Sequence, residues 1–288
     1  MLDCIIIGSG PAGISAALTL KANGKTFALL GSAALSPKIY KAEEIRNYPG
    51  LSRLTGERFQ AALQAQLRDE EITVLEQKVT GVYALNEKFA VTLTNGEMIE
   101  SRTVILACGV QSVKEIEGEQ QFLGRGVSYC ATCDGFLYKS KTIAVLCTSK
   151  ELEHEIDYLA KIAQKVYLIP LYKNVQIDRE NVVKIIKMPK QIIGDSKVRS
   201  LRFDKSPAQD LPAELPIDGI FMLKESVPPA SLIAGLEVQE GHVVVGREAS
   251  TSLKGCFAAG DCTGRPYQYA KAIGEGNVAA HAVVEYCK

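Results

Sequence analysis

Short apolar runs rich in β-branched residues alternate with amphipathic stretches along most of the chain. Residues 2–7 are apolar and enter a glycine-rich turn, after which residues 14–21 carry the small and apolar side chains that suit a helix. An apolar strand at 26–30 completes this unit. A second strand, helix and strand follow at 142–147, 151–163 and 165–170. The pattern therefore predicts an α/β fold with two similar strand-helix-strand units.

A strand-rich stretch separates the two units. Apolar and polar residues alternate in a way that is typical of half-buried strands over 73–79, 81–85, 89–93 and 98–101. Asn95-Gly96 predicts a hairpin turn between the last two of them. The apolar strand 103–107 is expected inside a parallel sheet. The other predicted elements are a helix over 56–71, strands over 182–203, 217–223, 241–246 and 254–261, a loop over 206–216 and a closing helix over 274–286.

Composition and charge narrow the class of protein. Lysine plus arginine and aspartate plus glutamate both number 33, so no net charge attracts nucleic acid or an anionic membrane. No apolar run has the length of a membrane span, and residues 1–8 lack the features of a signal peptide. With 288 residues, of which 47% are apolar, the chain is long enough for two domains. We expect a cytoplasmic, enzyme-like globular protein.

Cys130-Ala131-Thr132-Cys133 is the clearest chemical signal in the sequence. Two thiols with two residues between them can close into a disulfide and reopen, and such a pair carries two electrons. A CxxC pair is also half of a zinc site, but no second CxxC exists and the three histidines lie far apart. Two buried and unreactive cysteines are a further alternative for the motif alone. No metal site is predicted, and the other six cysteines are expected to be thiols.

Gly8-Ser9-Gly10-Pro11-Ala12-Gly13 joins the first strand to the first helix. Glycines at this spacing allow a tight turn and a close approach of the backbone to a pyrophosphate, which then lies at the positive end of the helix. The second strand of such a unit usually ends in an acidic residue that binds the ribose, but here it ends in Gly31-Ser32. The turn therefore predicts a dinucleotide site whose ribose is held by backbone atoms or by Ser32.

The corresponding turn of the second unit contains no glycine. It reads Thr148-Ser149-Lys150-Glu151-Leu152. Side chains at these positions place Cβ atoms where a pyrophosphate approaches the backbone. This turn is therefore not expected to bind a dinucleotide.

Five stretches in the same order resemble the low-molecular-weight thioredoxin reductases, a family of small flavoproteins. They are residues 8–13, 47–50, 104–109, 130–135 and 257–261, the last followed by Tyr267-Gln268. The resemblance implies two Rossmann-like three-layer domains and a homodimer. Residues 1–113 and 242–288 would form a discontinuous FAD-binding domain, and residues 114–241 an inserted central domain with the CxxC.

The resemblance also implies catalytic roles. Cys133 would face the flavin, Cys130 would attack the disulfide of thioredoxin, and Asp134 would be the acid-base group. Electrons would flow from reduced FAD to the Cys130–Cys133 disulfide and then to the partner.

The cofactor site that the resemblance implies draws on both ends of the chain. Gly8, Gly10 and Gly13 would hold the pyrophosphate of FAD, and Asn47 and Asp261 would bond the flavin or ribitol. The other positions assigned to FAD are Ser9, Pro11, Ala12, Gly31, Lys38, Val79, Cys108, Gly109, Gly260, Tyr267, Gln268, Tyr269 and Ala270. Lys38 stands where the family usually has a glutamine, and Cys108 by itself is interpreted as a packed core thiol.

The likeness ends at the site where the family binds NADPH. That site has a second glycine-rich turn and a basic cluster, but residues 148–152 lack the glycines and residues 170–174 carry one positive charge. A subgroup with such a degraded site takes electrons from ferredoxin, and some members bind a second flavin. We expect a ferredoxin-dependent enzyme, with a second flavin or a flavin-binding redox sensor as alternatives. The docking patch for an acidic ferredoxin is expected to include lysines such as Lys38, Lys41 or Lys271.

Overall fold

The computed structural model describes residues 1–40, 42–110, 115–208, 211–224 and 228–288. These residues form two compact units. Unit 1 consists of Met1–Val110 together with Pro228–Lys288, and unit 2 consists of Gln111–Val227. Among the described residues, no helix combines the length and the apolar character that crossing a membrane requires.

The elements follow one another in the order that the sequence predicts. The strands are β1 (Leu2–Ile7), β2 (Phe27–Leu30), β3 (Val74–Leu75), β4 (Val79–Leu85), β5 (Lys88–Leu93), β6 (Met98–Leu106), β7 (Val127–Ser128), β8 (Thr142–Cys147), β9 (Lys165–Pro170), β10 (Val182–Lys184), β11 (Gln191–Gly194), β12 (Val198–Arg202), β13 (Glu214–Pro216), β14 (Gly219–Leu223), β15 (Val238–Gln239), β16 (His242–Val243) and β17 (Cys256–Ala258). The helices are α1 (Pro11–Ala22), α2 (Pro37–Tyr40), α3 (Gly56–Asp69), α4 (Ala131–Asp134), α5 (Glu153–Ile162), α6 (Pro229–Leu232) and α7 (Tyr269–Tyr286). Short 3₁₀ helices lie at Gly135–Tyr138, Lys150–Leu152 and Asp261–Thr263.

Unit 1 is built on a seven-stranded mixed sheet. Strands β3, β2, β1 and β6 run parallel, and β17 pairs in parallel with the last residues of β6. Strands β4 and β5 add an antiparallel meander to the first residues of β6. The α/β fold with a parallel sheet is therefore confirmed.

Strand β6 corrects the prediction of two separate strands at 98–101 and 103–107. Ser101 and Thr103 are completely buried, yet they do not interrupt the strand. The Ser101 hydroxyl donates to the carbonyl of Thr103, and the Thr103 hydroxyl donates to the carbonyl of Asp3, both at 2.7 Å. Because these hydroxyls are satisfied inside the protein, the polar residues cost little where they lie.

The core of unit 1 lies between the sheet and helices α1, α3 and α7. Its buried side chains include Ile6, Ile14, Leu20, Phe59, Leu63, Ile105 and Val283. Burial of each large apolar side chain stabilises the fold by roughly 1.5–3 kcal/mol. Helix α7 begins at Tyr269, five residues before the predicted start at 274, and packs against α1 where a Cβ on Gly276 would lie 2.1 Å from the carbonyl oxygen of Ala12.

Unit 2 has three layers around a parallel five-stranded sheet of order β10-β9-β8-β14-β7. Alternate residues of its central strand β8 face opposite sides. Ile143 and Val145 pack with α5, whereas Ala144 and Leu146 pack with the antiparallel sheet β11-β12-β13. The predicted loop over 206–216 ends in β13. Its residue Leu215 is buried on the side of the parallel sheet that faces β11-β12-β13.

The contacts place the second junction between the units at 227/228 rather than after residue 241. Residues 228–241 pack within unit 1, because Ile233 bridges to Val82 of β4 and β15 pairs with β16. The first junction lies at 110/111, close to the expected one at 113/114. The assignment of FAD binding and dithiol chemistry to separate domains stays a prediction.

Candidate functional site

Cys130 and Cys133 form a closed disulfide, with Cα atoms 5.3 Å apart. The pair encloses the start of the short helix α4, and the backbone N–H of Cys133 donates to Cys130 Sγ at 3.2 Å. A backbone N–H aimed at a sulfur stabilises the thiolate form of that sulfur after reduction. This bond would stabilise a Cys130 thiolate, and the role of Cys130 as the attacking thiol stays a prediction.

Ser128 organises the polar groups around this disulfide. Its hydroxyl donates to Asp134 Oδ2 at 2.6 Å, and it accepts the backbone N–H of Cys130 at 3.1 Å. Ser128 is buried at the end of β7. Sequence reasoning missed this residue, although a serine two positions before a CxxC, at the end of an apolar strand, was the available signal.

The segment after the disulfide presents apolar side chains to solvent. Phe136 is 64% exposed and Leu137 is 53% exposed. Gly135 lets this segment lie close to α5, since a Cβ there would approach the ring of Tyr158 to 2.8 Å. The redox disulfide thus lies next to an exposed apolar pair of the kind that protein partners cover.

The first glycine turn has the geometry of a dinucleotide cradle. Gly8 has a φ of +118°, and a Cβ on Gly13 would lie 1.8 Å from the carbonyl oxygen of Gly8, so both positions require glycine. A Cβ on Gly10 would meet no atom within 4 Å, and α1 begins there with Pro11 in its first turn and no side-chain cap. The backbone at Gly10 is therefore open for close approach of a pyrophosphate at the helix start. Ala12 is buried beneath this turn.

The end of β2 binds the glycine turn directly. Ser9 Oγ donates to the carbonyl of Ser32 and accepts its N–H, both at 2.9 Å. A Cβ on Gly31 would lie 2.3 Å from Ser9 Oγ, which explains the glycine at this position. The side chain of Ser32 accepts the N–H of Ala34 at 3.2 Å. The choice between backbone atoms and Ser32 as the group that holds the ribose stays a prediction.

The loop that carries Asp261 is held by an internal ion pair. Lys271 Nζ donates to the carbonyl oxygens of Gly260 and Gly264 at 2.9 and 2.7 Å and lies 3.1 Å from Glu275 Oε2. Glu275 Oε2 also accepts the N–H of Gly260 at 2.8 Å. Lys271 was expected in a docking patch; these bonds and its 19% exposed side chain show that it stabilises the loop, and the docking patch stays a prediction.

Motif residues from distant parts of the chain meet in unit 1. The Asn47 side-chain amide donates to Gln268 Oε1, across 221 positions of sequence. Burial and, to a smaller degree, the carboxylate of Asp261 raise the pKa of Tyr269. The Tyr267 hydroxyl lies 2.7 Å from His242 Nε2. The structure thus gathers Asn47, Gln268, Asp261 and Tyr269 as the resemblance implies, while their roles toward FAD stay predictions.

The remaining predicted cofactor positions differ in their surroundings. Val79 is buried in the β4–β5 hairpin opposite Leu93, and Ala270 is exposed at the start of α7. Gly109 has a positive φ, with space open around its missing Cβ. A hydrogen bond with the Cys262 thiol, together with burial, raises the pKa of Cys108 well above its ordinary value. The side chain of Lys38 and all of Lys41 lie outside the described residues.

The turn of unit 2 between β8 and α5 is held by hydrogen bonds of its own side chains. The Ser149 hydroxyl donates to Glu151 Oε2, and Ser149 is buried. Glu153 Oε1 accepts the Tyr172 hydroxyl at 3.0 Å and the backbone N–H of Gln176 at 2.9 Å. Glu151 just before α5, and Glu153 and Glu155 in its first turn, place negative charge where a pyrophosphate would have to lie.

The chain is similar over most of its length to proteins of one family. Residues 2–169 match the family described as pyridine nucleotide-disulphide oxidoreductase. The thioredoxin reductase of Mycoplasma genitalium is 32% identical over 290 residues, which cover 95% of this chain and 91% of that protein. A crystal structure of a ferredoxin-flavin thioredoxin reductase from Clostridium acetobutylicum is similar with a TM-score of 0.90 and 40% identity, over 99% of this chain and 96% of that one. The atypical thioredoxin reductase of Desulfovibrio vulgaris Hildenborough gives a TM-score of 0.66 at 26% identity, over 98% and 97% of the two chains.

Proposed function

Because the chain belongs to the pyridine nucleotide-disulphide oxidoreductase family and, within it, to the low-molecular-weight thioredoxin reductases, we propose that it is a ferredoxin-dependent thioredoxin reductase. It is an FAD-dependent disulfide oxidoreductase. The proposal adds the electron donor, the protein acceptor and the residues that carry the reaction.

The residues of unit 1 fit FAD. No atom lies within 4 Å of the place that a Cβ on Gly10 would take, so the backbone there is open to a pyrophosphate, and the helix start beside it lacks a side-chain cap. Asn47 and Asp261 would bond the flavin and ribitol. When bound there, FAD can accept electrons singly from an iron-sulfur protein and deliver them as a pair to a disulfide.

The dithiol of unit 2 would carry the electron pair to thioredoxin. The Cys130 thiolate attacks one sulfur of the partner's disulfide, and the released thiolate takes up a proton. The Cys133 thiolate then attacks the Cys130 sulfur, which releases the second partner thiolate and reforms the Cys130–Cys133 disulfide. The partner gains two electrons and two protons, and Asp134, held by Ser128, would transfer protons beside the sulfurs.

Exposed apolar side chains next to the disulfide support a protein acceptor. Phe136 and Leu137 lie three and four residues after Cys133 and are more than half exposed. Attack on a protein disulfide requires the partner to cover the dithiol, and apolar side chains at that place give the contact hydrophobic area. A small-molecule acceptor would not need them.

The choice of ferredoxin as the electron donor rests on the turn before α5, which contains no glycine and has acidic side chains in and beside it. NADPH needs backbone amides for its pyrophosphate and cationic side chains for its 2′-phosphate. Here Glu151 lies in that turn and Glu153 begins α5, and Tyr172, two residues after β9, donates its hydroxyl to Glu153. The same carboxylates oppose the pyrophosphate of a second FAD. Ferredoxin needs no such pocket, because electron transfer requires only a small transient contact.

The proposal includes a homodimer in the cytoplasm, as the family resemblance implies. The experiment that tests the donor compares thioredoxin reduction by reduced ferredoxin, NADPH and NADH at equal protein concentration. We expect turnover with ferredoxin alone. Turnover with NADPH at a comparable rate would contradict the proposal.

A double variant tests whether the carboxylates at the start of α5 exclude NADPH. In Glu151→Ser with Glu153→Gln, the negative charge of the turn is reduced while the fold of α5 is kept. If the carboxylates exclude the dinucleotide, calorimetric titration with NADPH should detect weak binding to this variant and none to the parent. Equal binding to both proteins would show that the carboxylates do not set the choice of donor.

A further inference from the structure

Unit 2 contains a buried ionic cluster that the reaction above does not use. Glu119 and Lys224 form an ion pair although their side chains are only 0% and 3% exposed. The Tyr129 hydroxyl donates to Glu119 Oε1 at 2.6 Å, and the N–H of Ile116 donates to Glu119 Oε2 at 3.0 Å. The ammonium of Lys224 also lies 5.7 Å from the centre of the Tyr129 ring.

Burying these charges costs free energy, so we asked what the position of the cluster in the fold achieves. A buried charge is tolerated only when it is paired and hydrogen-bonded, and an apolar set of the same volume is often equally stable. Both oxygens of Glu119 are used, and its partners come from three separate segments of unit 2. Stability alone therefore does not explain the cluster, whereas a requirement for a defined geometry does.

The segment that the cluster holds leads directly into the redox disulfide. Tyr129 is buried and immediately precedes Cys130. The position of Cys130 Sγ opposite the N–H of Cys133 depends on the backbone of residues 129 and 130, since Cys130 has an extended conformation with φ −132° and ψ 105°. The bond from Tyr129 to Glu119 fixes this backbone from one side, and Ser128 fixes it from the other.

We propose that Glu119, held by Lys224, is a positioning residue of the dithiol, and that it acts through the Tyr129 hydroxyl to keep Cys130 Sγ on the Cys133 N–H. Without the bond, the segment relaxes and the Cys130 thiolate loses part of its stabilisation. The inference rests on the proposed role of Cys130 as the attacking thiol. It does not depend on the donor, so a failure of the ferredoxin proposal leaves its test intact.

The test measures the Cys130 thiolate directly. In a Cys133→Ser background, the rate of alkylation of Cys130 by iodoacetamide is followed from pH 5 to 10, and the backbone N–H at position 133 is retained. Adding Tyr129→Phe removes only the hydroxyl. We expect the pH midpoint to rise by about half a unit, which slows alkylation near pH 7 about threefold because the thiolate is the reactive form.

Tyr167→Phe in the same background is the control, because Tyr167 is a buried tyrosine of the same unit that lies on β9. Thermal melting of both variants shows whether either is merely destabilised. The proposal predicts a shifted alkylation profile for Tyr129→Phe and the parent profile for Tyr167→Phe. If both variants keep the parent profile, or both shift equally, the proposal is wrong.

A second variant tests the role of Glu119 if Tyr129→Phe folds poorly. Glu119→Gln combined with Lys224→Met removes both charges but keeps an amide oxygen that can accept from Tyr129. We expect this double variant to retain the parent alkylation profile, whereas Glu119→Leu with Lys224→Met should show the shift. The same profile for both double variants would rule out the hydrogen bond as the positioning contact.

Discussion

The hydroxyl of Ser128 lies 2.6 Å from Asp134 Oδ2 and fixes the carboxylate beside the redox disulfide. The same oxygen accepts the backbone N–H of Cys130 at 3.1 Å. One buried serine therefore connects the proposed acid-base group with the proposed attacking cysteine. This bond requires α4 to lie at the end of β7, and it gives the CxxC segment a fixed orientation toward its own proton-transfer group.

Ser128→Ala should slow thioredoxin reduction substantially while FAD content stays at the parent level. The loss of a buried hydroxyl bond to a carboxylate costs roughly 1–3 kcal/mol, part of which appears as lower stability. Ser200→Ala is the matched control, because Ser200 is also buried and donates to Glu214 Oε1 at 2.6 Å within unit 2. Turnover should fall for Ser128→Ala alone. Equal losses in the two variants would indicate a general effect on folding.

Gly10→Leu should fold but bind little FAD. The backbone at Gly10 has φ −78° and ψ −178°, which any residue can adopt, and its Cβ would meet no protein atom within 4 Å. The added side chain would occupy the space of the pyrophosphate. Released flavin is counted per folded chain by absorbance, with circular dichroism as the measure of folding. Gly274→Leu, at an exposed helical glycine with equally open space, should keep its FAD.

The two cysteines of the disulfide should give different spectra when they are replaced. Cys130→Ser leaves the thiol that is predicted to face the flavin, so a long-wavelength charge-transfer band should appear as Cys133 ionises. Cys133→Ser should lack the band and block electron flow from flavin to the protein disulfide. Visible spectra between pH 6 and 9 provide the measurement. A band seen only in Cys133→Ser would reverse the two roles.

Stability should fall in alkaline solution because of buried thiols. Burial raises the pKa of Cys4 and of Cys256 to about 12, and that of Cys147 to about 11. Because the pKa of each thiol is higher in the folded than in the unfolded protein, its contribution to stability is fully present below about pH 9. This contribution is lost as the pH rises through the folded-state pKa. Each such thiol should lower the free energy of unfolding by about 1.4 kcal/mol per pH unit above 9. Urea unfolding at pH 8, 9 and 10 would measure how steeply the free energy of unfolding falls with pH. Cys4→Ala should make this dependence less steep.

Local sequence patterns predicted the elements and motifs whose signal lies within a few residues. The parallel strands, the turn at Gly8 to Gly13 and the CxxC segment are of this kind. The single strand β6 was not predicted, because Ser101 and Thr103 look like a break until their buried hydrogen bonds are seen. Likewise, the absence of glycine at residues 148–152 was visible in the sequence. The hydrogen bond between Tyr172 and Glu153 next to this turn was not.

Contacts between distant positions were beyond sequence reasoning. Glu119 and Lys224 are 105 residues apart, and neither belongs to a motif. Lys271 carried a charge that suggested a docking surface, yet its bonds to Gly260 and Gly264 give it an internal role. In both cases the partner of a charged side chain is set by the packing of strands and helices, which a local pattern does not specify.

The direct test of the central claim is stopped-flow mixing of the oxidised flavoprotein with each electron donor in turn. Glu151 in the turn before α5 and Glu153 at the start of α5 oppose a dinucleotide phosphate, whereas a small iron-sulfur protein needs only a surface contact. Flavin absorbance is followed after mixing with reduced ferredoxin, NADPH or NADH at equal concentrations. The account predicts rapid bleaching by ferredoxin and only slow bleaching by either nucleotide. Rapid bleaching by NADPH, with ferredoxin inert, would contradict it and indicate a pyridine-nucleotide-dependent enzyme.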